Sequence, residues 1–382
     1  MSMSYSFLTE EQELIRDAAR EFAKNEVSPT AKALDATSEF PYDWVKRCAE
    51  LGFLGISVPE QYGGVGADVL SECLVIEEIA KESGSLALII DAHTSLGCMP
   101  LLMEGTEEQK ERYLVPAAKG EKLMSFGLTE PGSGSDAGSS TTTAVLDGDE
   151  WVINGTKAWI TNIGVAEIYI VTAKTDPEKG GKGISAFIVE KGTPGFEFGK
   201  WEKKMGLNNS ATGELFFRDC RIPRGNLLGT LNRGLPLFLK SLDEGRIAVS
   251  AMAVGMAQGA LDRTVAYAKE RVQFGRPICK FQGVSFPLAE MATKIELSRT
   301  MLHHVAKMRD AGAPFTKEAA MLKLFSSEMC CWVCDKAVQI HGANGYSKEF
   351  EVERFMRDAK LLTIGEGTSE VCKIVISGHV LA

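Results

Sequence analysis

The 382-residue sequence lacks an excess of basic residues, low-complexity segments and any long uninterrupted apolar run. Asp and Glu number 51 against 42 Lys and Arg, and the net charge of −9 argues against sequence-independent binding of nucleic acid. No apolar run reaches the roughly 18 residues that a membrane-spanning helix needs. We therefore expect a globular protein without nucleic acid or a membrane span, although local basic pockets for a phosphorylated ligand are compatible with this charge.

The sequence also lacks a recognisable signal peptide and a recognisable metal-binding motif. Its opening segment, MSMSYSFLTEEQE, is polar and leads directly into a predicted helix, and its nine cysteines are scattered and odd in number. The cluster MCCWVC (329–334) has no second ligand pair at zinc-site spacing, so its helical context favours buried core thiols. We expect reduced cysteines, a cytoplasmic location and no bound metal.

The spacing of apolar residues changes twice along the chain. Helical spacing dominates the first third, short apolar runs separated by turns follow, and helical spacing then returns to the end. The strands are predicted over TTTAVL, EIYIVTAK, GISAFIVEK and GELFFRDCRI, and Asn154-Gly155 predicts a turn between two strand-like pieces. The sequence therefore predicts an α+β multidomain fold with domains at 1–121, 122–232 and 233–382.

This order of elements argues against a nicotinamide-dinucleotide dehydrogenase. A Rossmann domain alternates strands and helices, and its G-x-G-x-x-G fingerprint opens a helix. Here the glycine-rich segment LTEPGSGSDAGSS (128–140) precedes a predicted strand, and its glycine spacing does not match the fingerprint. Its free backbone N–H groups could still hold a phosphate or the edge of a flavin.

Six motifs, in the right order over nearly the whole chain, resemble those of the acyl-CoA dehydrogenase family, close to its short-chain, butyryl-CoA branch. They are FGLTEPGSGSD (126–136), KAWITN (157–162), LDEGRI (242–247), RVQFGRPICKFQ (271–282), QIHGANGY (339–346) and GEGTSE (365–370). The resemblance implies an N-terminal helical domain, a middle β-barrel-like domain and a C-terminal four-helix bundle. It also implies FAD between the middle domain and the bundle, an acyl-CoA substrate, a homotetramer built as a dimer of dimers, and an electron-transferring flavoprotein as electron acceptor.

The resemblance assigns three groups of residues to FAD. The first group contacts one edge of the flavin: Phe126, Leu128, Thr129, Gly134 and Ser135. The second group contacts the other edge: Trp159, Ile160 and Thr161. The third group serves the diphosphate and adenine: Arg271, Phe274 and Gln282 reach across the dimer, as do Gln339, Ile340, Gly342 and Ala343 in the family match, and Thr368 and Glu370 begin a helix whose N-terminus faces the diphosphate. Hydrogen bonds to the pyrimidine side of a flavin favour its negatively charged reduced form. The alternatives are a plain strand with a buried Trp, solvated helix faces, and simple N-capping at Thr368.

The family match also places residues at the CoA ester. Ser135 and the pair Asp243 and Arg246 match positions that line the CoA channel. Gly365 and Gly367 let the backbone come close to the thioester. The alternative for Asp243 and Arg246, three residues apart on a predicted helix, is a surface ion pair of little energetic weight.

Glu366 lies between two glycines in LLTIGEGTSEV (361–371), just before a predicted helix. Oxidation of a thioester requires a base beside the α-carbon, hydrogen bonds to the carbonyl oxygen and a hydride acceptor at the β-carbon. The family places a glutamate in this turn as the base, and Glu366 matches it, with its backbone N–H holding the thioester carbonyl. The alternative is a helix-capping acid.

Two features depart from the family pattern. Gly365 stands where the family usually has Tyr, and loss of an aromatic that buries ~150–250 Å² should widen the pocket or loosen Glu366. Asp91 follows Leu88, Ile89 and Ile90 in an apolar helix that lines the end of the acyl pocket in this family. It is either a second base beyond the α-carbon or a structural carboxylate satisfied by Thr94, Ser95 or a distant Arg. Together these departures suggest an alicyclic acyl group, as in cyclohexane- or cyclohexene-carboxyl-CoA dehydrogenases.

Two further functions compete with an FAD-dependent acyl-CoA dehydrogenase. A butyryl-CoA-type enzyme for straight short chains is the nearest alternative. A flavin-less paralogue that serves as a binding subunit is the alternative from another class, and the intact FAD motifs argue against it.

Overall fold

The computed structural model describes residues 7–382. The first six residues of the polar opening segment lie outside the described residues. Residues 7–382 fold as three consecutive regions, helical, β and helical, as the sequence predicts. The contacts between these regions place the candidate site residues.

Eight α-helices form the N-terminal region. Their bounds are α1 Glu10–Phe22, α2 Ser28–Thr37, α3 Tyr42–Glu50, α4 Val69–Ala80, α5 Gly84–Asp91, α6 Met99–Glu104, α7 Glu107–Gln109 and α8 Val115–Ala118. Helix α1 begins at a capping box in which Thr9 and Gln12 satisfy each other's backbone N–H groups. Helix α4 is buried along its whole length, so it forms the centre of this region.

Helix α5, a π-helical segment Ala92–Cys98 and α6 form one continuous helix, Gly84–Glu104. By length and composition alone it could cross a membrane, so the sequence-based exclusion of such a segment was too broad. In its most apolar window, 83% of the residues are buried inside the protein, as in a core helix. The widened turn begins directly after Asp91, and π-helical segments recur at functional sites.

The middle region is a mixed eight-stranded sheet. The strands are β1 Met124–Gly127, β2 Thr143–Asp147, β3 Glu150–Thr161, β4 Ile168–Lys174, β5 Ile184–Glu190, β6 Phe196–Phe198, β7 Thr212–Pro223 and β8 Leu227–Leu228. Their order is β6-β7-β3-β2-β4-β5-β8, and β1 pairs with β4 in parallel. The four strands predicted from the sequence are therefore confirmed as β2, β4, β5 and β7.

The turn predicted at Asn154-Gly155 is wrong, because β3 runs straight through both residues. The register of β3 against β7 shifts between Ile153 and Gly155, which marks a β-bulge. Gly155 has φ 149°, and a Cβ there would lie 2.4 Å from the Thr142 hydroxyl. The glycine therefore serves a bulge and a close approach between strands rather than a hairpin turn.

Five helices and a small hairpin complete the chain. They are α9 Gly234–Glu270, β9 Val272–Gln273, β10 Arg276–Pro277, α10 Gln282–Asp310, α11 Thr316–His341, α12 Val352–Ala359 and α13 Ser369–Val380. The long helices α9, α10 and α11 pack on one another, and the shorter α13 packs on α11, which gives the predicted four-helix bundle. Helix α9 is buried over most of its middle. Cys330 and Cys334 are buried in α11, as predicted for core thiols, and Cys331 is half-buried.

Candidate active site

The turn that carries Glu366 is held in a left-handed backbone conformation. Glu366 has φ 53° and Gly367 has φ 94°. Thr368 then caps α13 by accepting a hydrogen bond from the Val371 N–H, so the predicted helix start and the capping role are both confirmed. A non-glycine residue in this conformation stores strain, and such strain clusters at functional sites.

Glycine in α9 makes room for the Glu366 carboxylate. A Cβ on Gly245 would lie 2.2 Å from Glu366 Oε2 and 3.1 Å from a Leu96 methyl group. Any side chain at position 245 would therefore displace the carboxylate. Glu366 Oε2 is buried and accepts no hydrogen bond from a hydroxyl or N–H group of the described residues. The carboxylate is thus packed against α9 with one oxygen that only a neighbouring carboxyl or a ligand can satisfy.

Asp91 is fully buried, and only one of its oxygens is satisfied by a hydroxyl group. Ser95 donates to Asp91 Oδ1 at 2.5 Å, as the structural alternative for Asp91 expected. Thr94 instead donates to Glu72. Asp91 Oδ2 is buried without a hydroxyl or N–H donor among residues 7–382. That oxygen therefore depends on a neighbouring carboxyl or a ligand for a partner.

Asp91 and Glu366 form a carboxyl pair. Burial raises the pKa of Asp91 well above its ordinary value, and the charge of Glu366 and a hydrogen bond to it raise this pKa further. Burial also raises the pKa of Glu366, against the hydrogen bond from Asp91 and the charges of Lys323 and Arg246. Two adjacent buried carboxyls cannot both ionise easily, and the surroundings favour the neutral form of Asp91 more strongly than that of Glu366.

Arg246 and Asp243 lie beside this turn in α9. Arg246 Nη1 donates to Asp243 Oδ1 at 2.7 Å, and Thr316 donates to the other Asp243 oxygen at 2.7 Å. A Cβ on Gly367 would lie 3.6 Å from Arg246 Nη2. Both charged residues are buried, so the alternative of a surface ion pair is wrong. The buried Arg246 Nε has no acceptor among the described residues, which leaves one donor available to a ligand.

The residue before Glu366 leaves space. Gly365 is half-buried, and a Cβ there would meet nothing closer than the Leu361 side chain at 3.6 Å. Its φ is not in the left-handed region, so the backbone does not require glycine here. The small residue therefore widens the surroundings of Glu366 without a conformational reason.

The two segments predicted to contact the flavin edges are neighbours. The Ala158 N–H donates to the Thr129 carbonyl at 2.8 Å, which joins the loop after β1 to β3. Phe126 stacks on Phe238 of α9 with ring centroids 4.1 Å apart. Trp159 has φ 61° and is 63% exposed, while Ile160 is buried. Trp159 was expected to cover a flavin, and its ring is open to a ligand.

The structure also contains an anchor for this loop that the sequence analysis missed. Lys157 Nζ forms a buried ion pair of 2.8 Å with Glu130 Oε1. Glu130 also accepts hydrogen bonds from the backbone N–H groups of Thr141 and Thr142. Although burial opposes it, Lys157 lowers the pKa of Glu130 to about 2. Both residues stand inside quoted motifs, and an acid beside Pro131 and a lysine amid apolar strand residues were the available signals.

The residues predicted to reach across a dimer lie at the surface of this chain. Arg271, Phe274 and Gln282 are exposed around the β9–β10 hairpin, and Phe274 is 94% exposed. The others lie at the end of α11 and just beyond it: Gln339 and Ile340, then Gly342 and Ala343. Among residues 7–382, no hydrogen bond or ion pair joins their side chains to the Phe126–Ser135 loop. Their role toward FAD stays a prediction.

The residues present fit a flavin on two observations. A Cβ on Gly132 or Gly134 would meet nothing within 4 Å, so this loop presents bare backbone to an open side. Ser135 is also exposed on this loop, and the hydrogen bond between Ala158 and Thr129 joins the loop to the strand that carries the accessible Trp159 ring. Exposed backbone donors and an accessible aromatic face on adjoining segments suit the edge and the face of a flavin ring.

Comparisons with known proteins agree with this geometry. The chain matches the N-terminal, middle and C-terminal domains of acyl-CoA dehydrogenase over residues 9–121, 125–220 and 232–381. It is 51% identical to a probable acyl-CoA dehydrogenase of Bacillus subtilis, over 98% of this chain and 99% of that protein. It is 50% identical to a short-chain specific acyl-CoA dehydrogenase of Clostridium acetobutylicum, over 98% of both chains.

Solved structures give the same result. Butyryl-CoA dehydrogenase from Megasphaera elsdenii is 44% identical and superposes with a TM-score of 0.97 over the whole of both chains. A structure from work on the electron transferring flavoprotein of Acidaminococcus fermentans is 47% identical, with a TM-score of 0.97, and covers 99% of this chain and 100% of that one. These matches span all three structural regions, so the chain is an oxidoreductase that belongs to the acyl-CoA dehydrogenase family.

Proposed function

We propose that this protein is an FAD-dependent dehydrogenase of short or alicyclic acyl-CoA thioesters, of the cyclohexane- or cyclohexene-carboxyl-CoA type. The observation that carries the proposal is the buried pair of Asp91 and Glu366, in which each carboxyl keeps one oxygen without a hydroxyl or N–H donor. Such a pair, placed beside strained backbone, is suited to proton transfer at carbon.

Glu366 removes the α-proton of a saturated thioester. Its backbone N–H donates to the thioester carbonyl, so negative charge that develops on that oxygen is stabilised. The elevated pKa of Glu366 makes it a stronger base than an exposed glutamate while the nearby cations keep it ionised. When bound, FAD supplies the acceptor for the hydride that leaves the β-carbon. Arg246 and Ser135 orient the CoA ester.

The shared proton lets either carboxyl act as the base. Asp91 holds the proton when a saturated substrate presents its α-C–H bond to Glu366. In a ring that is already unsaturated, conjugation makes the γ-proton acidic. If that proton lies beside Asp91, transfer of the shared proton to Glu366 frees Asp91 to accept it. A hydride would also leave the saturated β-carbon of the ring, FAD would accept it when bound, and a conjugated diene would form. The single negative charge of the pair can thus lie on Glu366 to remove an α-proton or on Asp91 to remove a γ-proton.

The space beside Gly365 supports a bulky acyl group. A ring is wider than a straight chain, and nothing lies within 3.6 Å of a Cβ at this position. Asp91, at the end of an apolar helix, would line the far end of the same acyl pocket.

A butyryl-type substrate is the second candidate. The relatives that support it are the short-chain specific enzyme of Clostridium acetobutylicum and the butyryl-CoA dehydrogenase of Megasphaera elsdenii. A straight C4 chain would leave the space at Gly365 unfilled, which is why we rank it second.

For assembly and electron transfer we propose a homotetramer and an electron-transferring flavoprotein as acceptor. The exposed Phe274 and the residues around it support a subunit contact at the FAD site. The structural relative from work on an electron transferring flavoprotein supports that partner.

An activity screen tests the proposed substrate. Purified protein with bound FAD is mixed with linear and cyclic acyl-CoA esters and an artificial one-electron acceptor. We expect cyclohexanecarboxyl-CoA or its 1-ene to be oxidised at least as well as butyryl-CoA. Efficient oxidation of butyryl-CoA with no reaction of cyclic esters would instead establish the second candidate, and a colourless protein that binds no FAD would overturn both.

A further inference from the structure

Lys323 is a buried lysine that contacts the catalytic turn from α11. Its side chain is 0% exposed, and its Nζ donates to the Gly367 carbonyl at 2.5 Å. No carboxylate among residues 7–382 lies within 4.0 Å of Nζ to form an ion pair. The motif comparison assigned this residue no role.

Stability does not explain such a lysine. Burial of an ammonium group without an ion pair is costly, and burial accordingly lowers the pKa of Lys323. An apolar side chain of similar volume would pack in the same place without this cost. The charged amine of Lys323 therefore has a role at this position other than packing.

The turn that Lys323 contacts needs support. Glu366 adopts a left-handed conformation that non-glycine residues avoid, and such strain persists only where the surroundings enforce it. The Gly367 carbonyl follows directly after Glu366, so a hydrogen bond that fixes this carbonyl also fixes the backbone of the base. Lys323 makes that bond from a long bundle helix, which is a rigid support.

The charges around the carboxyl pair are also asymmetric. Lys323 of α11 and Arg246 of α9 face Glu366 and lower its pKa. On the other side of the pair, Glu72 of α4 faces Asp91 and raises its pKa. This arrangement favours the negative charge on Glu366 and the shared proton on Asp91.

Helix α13 contributes the remaining groups that face the lysine. Cys372 and Glu370 both favour the charged form of Lys323, as Glu366 does, whereas Arg246 opposes it. The thiol of Cys372 itself has a raised pKa because of burial, so it stays neutral at ordinary pH. Glu366 is thus the buried negative group that Lys323 serves.

We propose that Lys323 is a positioning residue for Glu366, which fixes the turn through the Gly367 carbonyl and keeps the charge of the carboxyl pair on Glu366. This inference rests on the proposed function, since it assigns Lys323 to the same reaction. It predicts that the amine acts on the rate and on its pH dependence, without touching the substrate.

The test compares Lys323→Met and Lys323→Arg with wild type and with Lys336→Met, a control in the same helix at a partly exposed lysine. Each FAD-loaded protein is mixed anaerobically with its best acyl-CoA substrate, and the rate of flavin bleaching is measured across pH. We expect Lys323→Met to move the acid limb of the profile upward by roughly one pH unit, because Glu366 loses a cation. Its maximal rate should fall by roughly tenfold or more, because the base is less well placed. Lys323→Arg should restore the acid limb.

Two results would overturn the inference. A rate and pH profile of Lys323→Met equal to those of wild type and Lys336→Met would make the lysine a space filler. A loss of rate and thermal stability in Lys323→Met, with an unmoved acid limb that Lys323→Arg does not alter, would make the lysine structural only. If wild type and control oxidise no acyl-CoA, the proposed function fails first.

A second readout does not depend on activity or on one variant alone. The free energies of unfolding of Lys323→Met, Glu366→Gln and the double variant in urea give the coupling between the two residues. Non-additive changes are expected. Additive changes would contradict an electrostatic coupling between the lysine and the base whatever the substrate is.

Discussion

At the scale of single residues, the proposed function depends on two carboxyls and the groups that surround them. Asp91 and Glu366 are far apart in sequence, and each is strained or costly where it stands. Gly245 in α9 has no side chain to compete with the Glu366 carboxylate. These features are coherent if the pair exchanges protons with a substrate.

Gly245→Ala should lower activity without unfolding the protein. Its Cβ would lie 2.2 Å from Glu366 Oε2, so the carboxylate must move, and turnover should fall by roughly tenfold or more. Steady-state kinetics measure the loss of turnover, and the visible flavin spectrum shows whether the protein remains folded around FAD. Gly378→Ala is the matched control, because nothing lies within 4 Å of a Cβ at that helical glycine. Equal turnover of both variants would show that the carboxylate does not need this space.

Asp91→Asn should stabilise the protein increasingly as pH rises. Because the folded-state pKa of Asp91 lies above its ordinary value of 3.8, folding takes up a proton once the pH exceeds that value. The stability that the neutral carboxyl contributes is complete below that value and is lost as pH rises toward the folded pKa. The amide of Asp91→Asn stays neutral at every pH, so the melting temperature of this variant relative to wild type should increase as the pH rises above the ordinary value of 3.8 toward the folded pKa.

The control for this measurement is Asp335→Asn at an exposed position. A difference between Asp91→Asn and wild type that is independent of pH would mean that Asp91 is ionised in the folded protein. A variant with lower stability and unchanged kinetics would make Asp91 a structural residue.

At the scale of secondary-structure elements, the loop after β1 and strand β3 form one unit. The ion pair between Lys157 and Glu130 connects them, and Glu130 also holds the backbone at the start of β2. The open glycines and the exposed Trp159 ring lie on the two halves of this unit. The buried pair therefore sets the distance between the two predicted flavin contacts.

Lys157→Met should lower the free energy of unfolding by about 3–5 kcal/mol, because it leaves Glu130 buried without its cation. Urea unfolding measures this loss, and flavin fluorescence titration should show weaker FAD binding. The double variant Lys157→Met with Glu130→Gln should recover part of the stability. Lys200→Met, at an exposed site in the same region, is the control. A loss no larger than that of the control would mean that the pair is dispensable.

The secondary-structure elements also show which parts of the structure can be predicted from the sequence alone. The capping box at Thr9, the N-cap at Thr368 and four of the strands are set by local chemistry, and they were predictable. The course of β3 was not, because Asn154-Gly155 has the composition of a hairpin turn and only the neighbouring strands reveal a bulge. The contacts of Asp91 with Glu366, Gly245 with Glu366 and Lys323 with Gly367 join residues far apart in sequence. No local pattern encodes them, so the site was predictable by resemblance for Glu366 and not for its supports.

At the scale of the whole molecule, one chain contains the carboxyl pair but leaves a predicted part of the FAD site on its surface. Arg271, Phe274 and Gln282 project from the region around the β9–β10 hairpin and are exposed. A second subunit that brings its flavin to this surface would bury them. FAD binding and subunit assembly would then be thermodynamically coupled.

Removal of FAD should therefore lower both stability and size. A ligand that binds only the assembled state stabilises it by mass action, so the flavin-free protein should melt at a lower temperature. Light scattering should detect a shift toward smaller species, and added FAD should reverse both changes. A flavin-free protein of unchanged mass and melting temperature would contradict a site shared between subunits.

The central claim is that the Asp91–Glu366 pair removes protons from carbon, and anaerobic flavin bleaching tests it most directly. The rate is measured for Glu366→Gln and Asp91→Asn with a saturated ring ester and with its 1-ene. We predict that Glu366→Gln loses roughly a hundredfold or more with the saturated ester and still binds FAD and CoA ester. Asp91→Asn should retain that reaction and lose formation of the diene. Near wild-type bleaching of Glu366→Gln by the saturated ester would contradict the account.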